Sequence, residues 1–184
     1  ALGGDLYDVL TLHDGSLAVA IADVSGHGLP AGFITAIFKT SLYRLTHQCT
    51  HPAQVMEQLN NELCDIVKTG DYVTAVYLHL HPQTLQLTCA GAGHPYPVVY
   101  QSTTKTIQRL QKNGTPLVWM PGMSYENESM TLQPGDKLVL FTDGISELRN
   151  TQDEMLGEDR LEQMLSDIFS QNTPFPLDDL VIQL

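Results

Sequence analysis

The chain is short of positive charge. Nine Lys and Arg stand against 21 Asp and Glu among 184 residues, a formal net charge of −12. Phosphate backbones are held by clustered Lys and Arg, so this scarcity argues against a nucleic-acid binder. Cysteine is scarce too. Cys49, Cys64 and Cys89 lie too far apart for a CxxC zinc or redox motif, and an odd count fits reduced thiols in a cytoplasmic setting. No apolar run approaches the ~18 residues of a membrane helix, and the opening ALGGDLYD is neither a basic n-region nor a signal h-region. The chain therefore reads as a soluble protein without membrane insertion. It starts without Met and almost on a motif, which reads as a piece of a longer protein, with the segment that precedes the motif missing.

Apolar residues are not scarce. At 42% hydrophobic and 16% charged, the chain can bury a core of its own, and it shows no internal repeat, low-complexity segment or linker. One domain over residues 1–184 is expected.

The elements alternate. SLAVAIADV (16–24) reads as a mostly buried strand after the turn HDGS. Residues 30–46 read as a helix with Pro30 in its first turn and Phe33, Ile34, Ile37, Phe38, Leu42 and Leu45 on one face. A second helix runs from Pro52 to about Lys68, with Val55, Met56, Leu59, Leu63, Ile66 and Val67 as its stripe. YVTAVYLHL, TLQLTCA and YPVVYQ are β-rich runs that suggest an antiparallel meander. The polar stretch 101–130 reads as loops with a weak hairpin. KLVLFTDG (137–144) reads as another buried strand, 158–169 as a third helix, and LDDLVIQL as a closing strand. His79 and His81, two apart on one strand face, read as solvent-facing residues.

Acids recur at strand ends or in glycine-containing turns at four places: Asp5 and Asp8 in GGDLYD, Asp23 in ADVSGHG, Asp143 in FTDG, and Asp178 with Asp179 in LDDL. Each alone fits a turn or a cap. Together, strands that deliver carboxylates to one edge incur like-charge repulsion unless a cation neutralises them. Carboxylate and carbonyl oxygens are hard donors that suit Mg²⁺ or Mn²⁺, whereas zinc or copper would call for His or Cys at short spacing.

GGDLYD, ADVSGHGLPAG, AGAGHP, FTDGISE and DDLVIQL, in that order and at about that spacing, resemble the metal-dependent type 2C (PPM) protein serine/threonine phosphatases, specifically the bacterial SpoIIE/RsbU branch. The resemblance spans essentially the whole chain. It implies an α+β fold, an antiparallel β-sandwich flanked by helices in αββα layers, with two Mn²⁺ or Mg²⁺ ions at one sheet edge. Asp23 would bridge the two ions, with the Val24 carbonyl also reaching a metal. Asp5 would complete one shell, while Asp143 and Asp178 would hold the other ion. Asp8 and Asp179 would orient those ligands, and Gly3, Gly4, Gly26, Gly28 and Gly144 would give backbone freedom and clearance. Asp23 and Asp143 are thus the expected catalytic acids, and His27 with Gly28 the expected substrate edge.

There are departures from the pattern. Ser25 stands where eukaryotic relatives carry a leaving-group acid, and His27 lies two residues on, as general acid or as a structural or substrate-edge residue. His94 replaces the Asp that other branches link to a third metal. Val181 stands where Thr or Ser is usual. The resemblance implies hydrolysis of phosphoserine or phosphothreonine on a phosphorylated anti-anti-sigma (STAS) protein in a partner-switching pathway, under control of a sensor or receiver domain in the same chain or dimer. In this branch the two helices that follow Asp23 are implicated as a switch, so Phe38→Ala or Leu59→Ala is expected to alter metal affinity more than fold. Two other readings stay open, a non-catalytic relative that binds a partner and a phosphoesterase for small molecules.

Overall fold

A computed structural model describes residues 4–49 and 51–171. In chain order the elements are β1 (Leu6–Thr11), β2 (Leu17–Val24), α1 (Leu29–Thr46), α2 (Pro52–Ile66), β3 (Val73–His81), β4 (Gln86–Ala92), β5 (Val98–Gln101), β6 (Thr106–Arg109), β7 (Asn113–Gly114), β8 (Glu128–Thr131), β9 (Lys137–Val139), α3 (Asp143–Ser146) and α4 (Glu158–Ser170). They fall into two compact units. One holds the described residues up to Tyr96 together with Leu110–Leu132; the other holds Pro97–Arg109 and the described residues from Gln133 onward. The closing strand expected around Asp178 lies outside the described residues.

In the first unit a sheet runs β1-β2-β3-β4, antiparallel throughout, and β4 also pairs with β7 in parallel and with β8 antiparallel. The inner face of this sheet is floored by small residues: Ala18, Ala20, Ala22, Ala75, Ala90 and Ala92 are all at most 2% exposed. Helices can settle close on such a floor. Phe38, Leu42 and Leu45 of α1 and Val55, Met56, Leu59 and Leu63 of α2 supply the bulk that the strands lack and join the same core. Full burial of each such side chain contributes about 1.5–3 kcal/mol.

The second unit has a three-stranded sheet, β6-β5-β9, and a core of Val98, Phe141, Leu161 and Leu165. Arg109 at the end of β6 ties α4 to it through ion pairs with Glu158, Asp159 and Glu162. Strands and helices thus occur in both units, as the α+β class requires.

Several expectations are corrected. The meander breaks after β4, because β5 joins the other unit's sheet, and the polar stretch supplies β6, β7 and β8. The helical stripe of α1 excludes Phe33, which is 67% exposed, and that of α2 excludes Ile66, at 54%. The run 137–144 makes only the three-residue β9, half-buried or exposed, before the chain turns into α3. GGDLYD does not end in a turn. LYDVLT alternates half-buried with exposed residues as strand β1. Among the described residues no helix is long and apolar enough to cross a membrane.

Candidate active site

Asp5 and Asp23 are brought together by the β1–β2 ladder. Leu6 is paired with Ala22, and two steps further the Val24 N–H donates to the Gly4 carbonyl at 3.2 Å, so Asp5 and Asp23, between them, stand across from each other at the ladder's end. The sequence can do this only with glycine at position 4. A Cβ there would sit 2.2 Å from the Val24 carbonyl oxygen and 3.1 Å from Asp23 Oδ1. The Val24 oxygen is backbone and cannot give way cheaply. Gly4 therefore admits the incoming chain into contact with both donors expected to hold metal.

Asp23 is half-buried and Asp5 exposed. Two cross-strand carboxylates and the neighbouring Val24 carbonyl would, if brought to one ion, form a hard oxygen set. It fits Mg²⁺ or Mn²⁺, which bind through one or two carboxylates and keep several waters, better than a softer ion.

Past Val24 the chain reverses. Gly26 and Gly28 have φ of 87° and 81°, and Gly28 is the N-cap of α1 with nothing within 4 Å of where its Cβ would lie. Gly28 is thus required by backbone conformation; clearance belongs to Gly4. His27, between them, is exposed. Ser25 has a structural partner: its N–H donates to the Tyr72 carbonyl and its Oγ accepts from the Tyr72 N–H, both at 2.9 Å. This double clasp holds the loop that follows Asp23 to the start of β3.

Two groups lie behind Asp23, and of these pattern reading missed Thr74. Thr74 is its partner across the β2–β3 ladder, and Thr74 Oγ1 lies 2.9 Å from Nδ1 of His94, which is 2% exposed. His94 is in turn tied by its carbonyl, which accepts from Asn113 Nδ2 at 2.7 Å. Thr74 could be found only by knowing the register of β2 against β3.

The other predicted residues are placed as follows. Asp8 pairs with Lys39 of α1 at 3.3 Å and with its neighbour's N–H, so its described partners are not Asp5 or Asp23. Asp143, in the second unit, is the exposed first residue of α3, preceded by Thr142 as N-cap. Gly144 meets only an ordinary contact from Thr142. Gly3, Asp178, Asp179 and Val181 lie outside the described residues. Cys89 is 2% exposed, and burial followed by the nearby Glu128 pushes its thiol up to about 12. It is not a nucleophile at neutral pH.

A β-sheet whose first two strands end on paired carboxylates, with a glycine-lined loop leading into a helix, defines the class of metal-dependent type 2C phosphatase folds. Solved structures agree. The chain is similar to the RsbU and RsbW domains of a Mycobacterium tuberculosis protein, with a TM-score of 0.79 at 23% identity over 92% of this chain and 47% of that one. It is similar also to the SiaA-PP2C domain of Pseudomonas aeruginosa, with a TM-score of 0.77 at 21% identity over 94% of this chain and 68% of that one. The model of the family described as Stage II sporulation protein E (SpoIIE) matches residues 13–183, and the chain belongs to that family. Among curated relatives it is 30% identical over 166 residues to the phosphoserine phosphatase RsbU of Bacillus subtilis, covering 90% of this chain and 49% of RsbU. The chain thus spans about half the length of that relative.

Proposed function

We propose that residues 1–184 form one metal-dependent protein serine/threonine phosphatase domain that removes phosphate from a phosphoserine or phosphothreonine of a protein substrate. The observation that carries this reading is the approach of Gly4 to Asp23 and Val24, which gathers hard oxygen donors at the end of β1 and β2 in a member of the SpoIIE family. Asp5, Asp23 and the Val24 carbonyl would hold divalent ions, and Asp143 and Asp178 would complete the set. Two Mg²⁺ or Mn²⁺ ions supply, when bound, a hydroxide nucleophile at neutral pH and positive charge beside the phosphoryl oxygens.

The chain's own contributions are positional. The Ser25–Tyr72 clasp holds the loop beyond Asp23, and the left-handed backbone at Gly26 and Gly28 turns the chain from β2 into α1. Exposed His27 stands on that loop, either to protonate the departing seryl oxygen or to contact the substrate beside it. The high thiol pKa of Cys89 supports direct hydrolysis over a cysteinyl-phosphate route.

The substrate we infer is a phosphorylated STAS protein of the anti-anti-sigma type, acted on in a cytoplasmic partner-switching pathway, with a sensor or receiver domain upstream. Its support is the likeness to RsbU. The test is phosphate release from candidate phospho-STAS proteins with and without Mn²⁺. Release that depends on Mn²⁺ is expected. Tight binding with no release would replace the reading with a binding module, and turnover of small phosphoesters with none of phosphoproteins would replace it with a metabolite phosphoesterase.

A further inference from the structure

Five of the seven histidines gather at the opposite end of the first unit's sheet from Asp23. His13 and His47 have ring centroids 5.3 Å apart, His79 and His81 4.5 Å apart, and His51 lies within electrostatic reach of His79. The expectation that His79 faces solvent is overturned. It is 8% exposed on the helix-covered face of β3, the face that carries Ala75 and Tyr77. From Asp23 to this end, at the Leu17–Leu80 pair, is six residues of β2, roughly 20 Å at ~3.3 Å per residue.

We propose that Asp14, His79 and His81 form a zinc site separate from the phosphatase centre. One donor atom of each lies within 4.8 Å of the other two. Zn–N and Zn–O bonds of about 2.0–2.1 Å put tetrahedral donors roughly 3.4 Å apart, so closure needs only a small rotation of exposed Asp14 and half-buried His81. Two imidazoles and one carboxylate favour Zn²⁺ over Mg²⁺ or Mn²⁺, which take oxygen sets, and three protein ligands leave a position for water.

Ser16 prepares the ligands. It is fully buried, its N–H donates to Asp14 Oδ1 at 2.9 Å, and its hydroxyl donates to the same oxygen. With its proton so committed, Ser16 Oγ accepts from His79 Nε2 at 2.6 Å. That arrangement would favour the Nε2–H tautomer of His79, with the Nδ1 lone pair left to a metal. Both Asp14 bonds fall on Oδ1, which leaves Oδ2 for the ion. A cavity of about 200 Å³ lined by Asp14, His79, His13, Thr46, His47 and Cys49, among others, opens beside the cluster and gives an ion and its water a way in. Bound zinc would clamp the β1–β2 turn to the end of β3, beside the start of the α1–α2 connection.

The experiment is a titration of the metal-stripped full chain with Zn²⁺ against a chromophoric chelator, in millimolar Mg²⁺ to saturate the oxygen site, with Co²⁺ as a spectroscopic probe. One Zn²⁺ equivalent that Mg²⁺ does not displace is expected, together with a tetrahedral Co²⁺ spectrum. His81→Gln and Asp14→Asn, on exposed or half-buried positions, should each weaken that equivalent at least 100-fold, and Ser16→Ala by 10–100-fold. Asp23→Asn should leave it intact, and His81→Gln should retain Mn²⁺-dependent activity. No Mg²⁺-resistant equivalent in the wild-type chain would overturn the proposal. So would an equivalent of undiminished affinity in folded His81→Gln and Asp14→Asn, or one that disappears with Asp23→Asn.

Discussion

Thr74 stands opposite Asp23 in the β2–β3 ladder while its hydroxyl lies 2.9 Å from Nδ1 of buried His94. A cross-strand neighbour sits within about 5 Å at Cβ, so whatever orients Thr74 also shapes the surroundings of the acid expected to hold metal. Thr74→Val keeps the β-branched shape and removes the hydroxyl. It should raise the Mn²⁺ concentration for half-maximal activity about 10-fold, within the range for groups one step behind a ligand, while kcat at saturating Mn²⁺ changes little. Equal loss in both parameters would count against a positioning role.

Asp23 and Cys89 give opposite expectations. Asp23→Asn should cut hydrolysis of an aryl phosphate by more than about 100-fold, beyond the range for outer groups, whereas Cys89→Ser should leave it largely unchanged, with no thiol ionisation in the pH–rate profile between 6 and about 9. The melting temperature should rise with Mn²⁺ and the rise should shrink in Asp23→Asn, since a ligand bound only by the folded state adds about 2.7 kcal/mol at roughly 100 times its Kd. An Mn²⁺-independent melting curve would remove the metal from the account.

Gly4→Ala tests the approach of the first strand to the second. With a Cβ placed 2.2 Å from the Val24 carbonyl oxygen, the backbone must part, at a cost of about 1–3 kcal/mol for overpacking. Unfolding by urea should report that loss, and Mn²⁺-dependent activity should fall further than the folded fraction. Wild-type activity in Gly4→Ala would show that this contact does not position the donors.

Coupling of the helices to the site is better tested at Lys39 than at the core. Phe38 and Leu59 are at most 1% exposed, so truncating either also costs about 2–5 kcal/mol of fold stability, which would mask a change in metal affinity. Lys39→Gln breaks the 3.3 Å pair with Asp8 of β1, three residues from Asp5, at a cost to stability of under about 1 kcal/mol. A shift in Mn²⁺ dependence with an unchanged melting temperature is the outcome expected if α1 and β1 move together.

Asp136 supplies a pH signature for the second unit. Partial burial pushes its carboxyl upward, but the N–H groups of Gln133 and Ser102 and the Ser102 hydroxyl outweigh it and hold the pKa below the ordinary value. A depressed folded-state pKa gives stability that is present above the unfolded value of ~3.9 and is lost as pH falls through the folded value. Asp136→Asn should therefore destabilise the chain at neutral pH, with the difference from wild type vanishing once pH has fallen through the folded-state value. A difference that persisted there would mean that the loss is one of packing.

Local pattern settled the elements whose periodicity and punctuation agree. The buried run of β2, the Pro-started helices α1 and α2, the helix α4 and the order of the acid motifs all follow from apolar spacing and from glycine or proline at their ends, which act within a few residues. The expected metal acids were legible for the same reason, since Asp23 ends a strand and is followed by glycines.

Pairing and solvent exposure were decided only in three dimensions. Whether β5 continues the meander, whether Phe33 faces the core, and that Thr74 backs Asp23 depend on which residues meet across sheets and layers, and those partners are distant in sequence. The corner of Asp14, Ser16, His79 and His81 is the sharpest case. More than sixty residues separate Asp14 and Ser16 from the two histidines, and a two-residue histidine repeat looks alike on a wet or a covered strand face. Burial of His79 came from the helices that cover the alanine floor, and its hydrogen-bond partner is a serine 63 positions away.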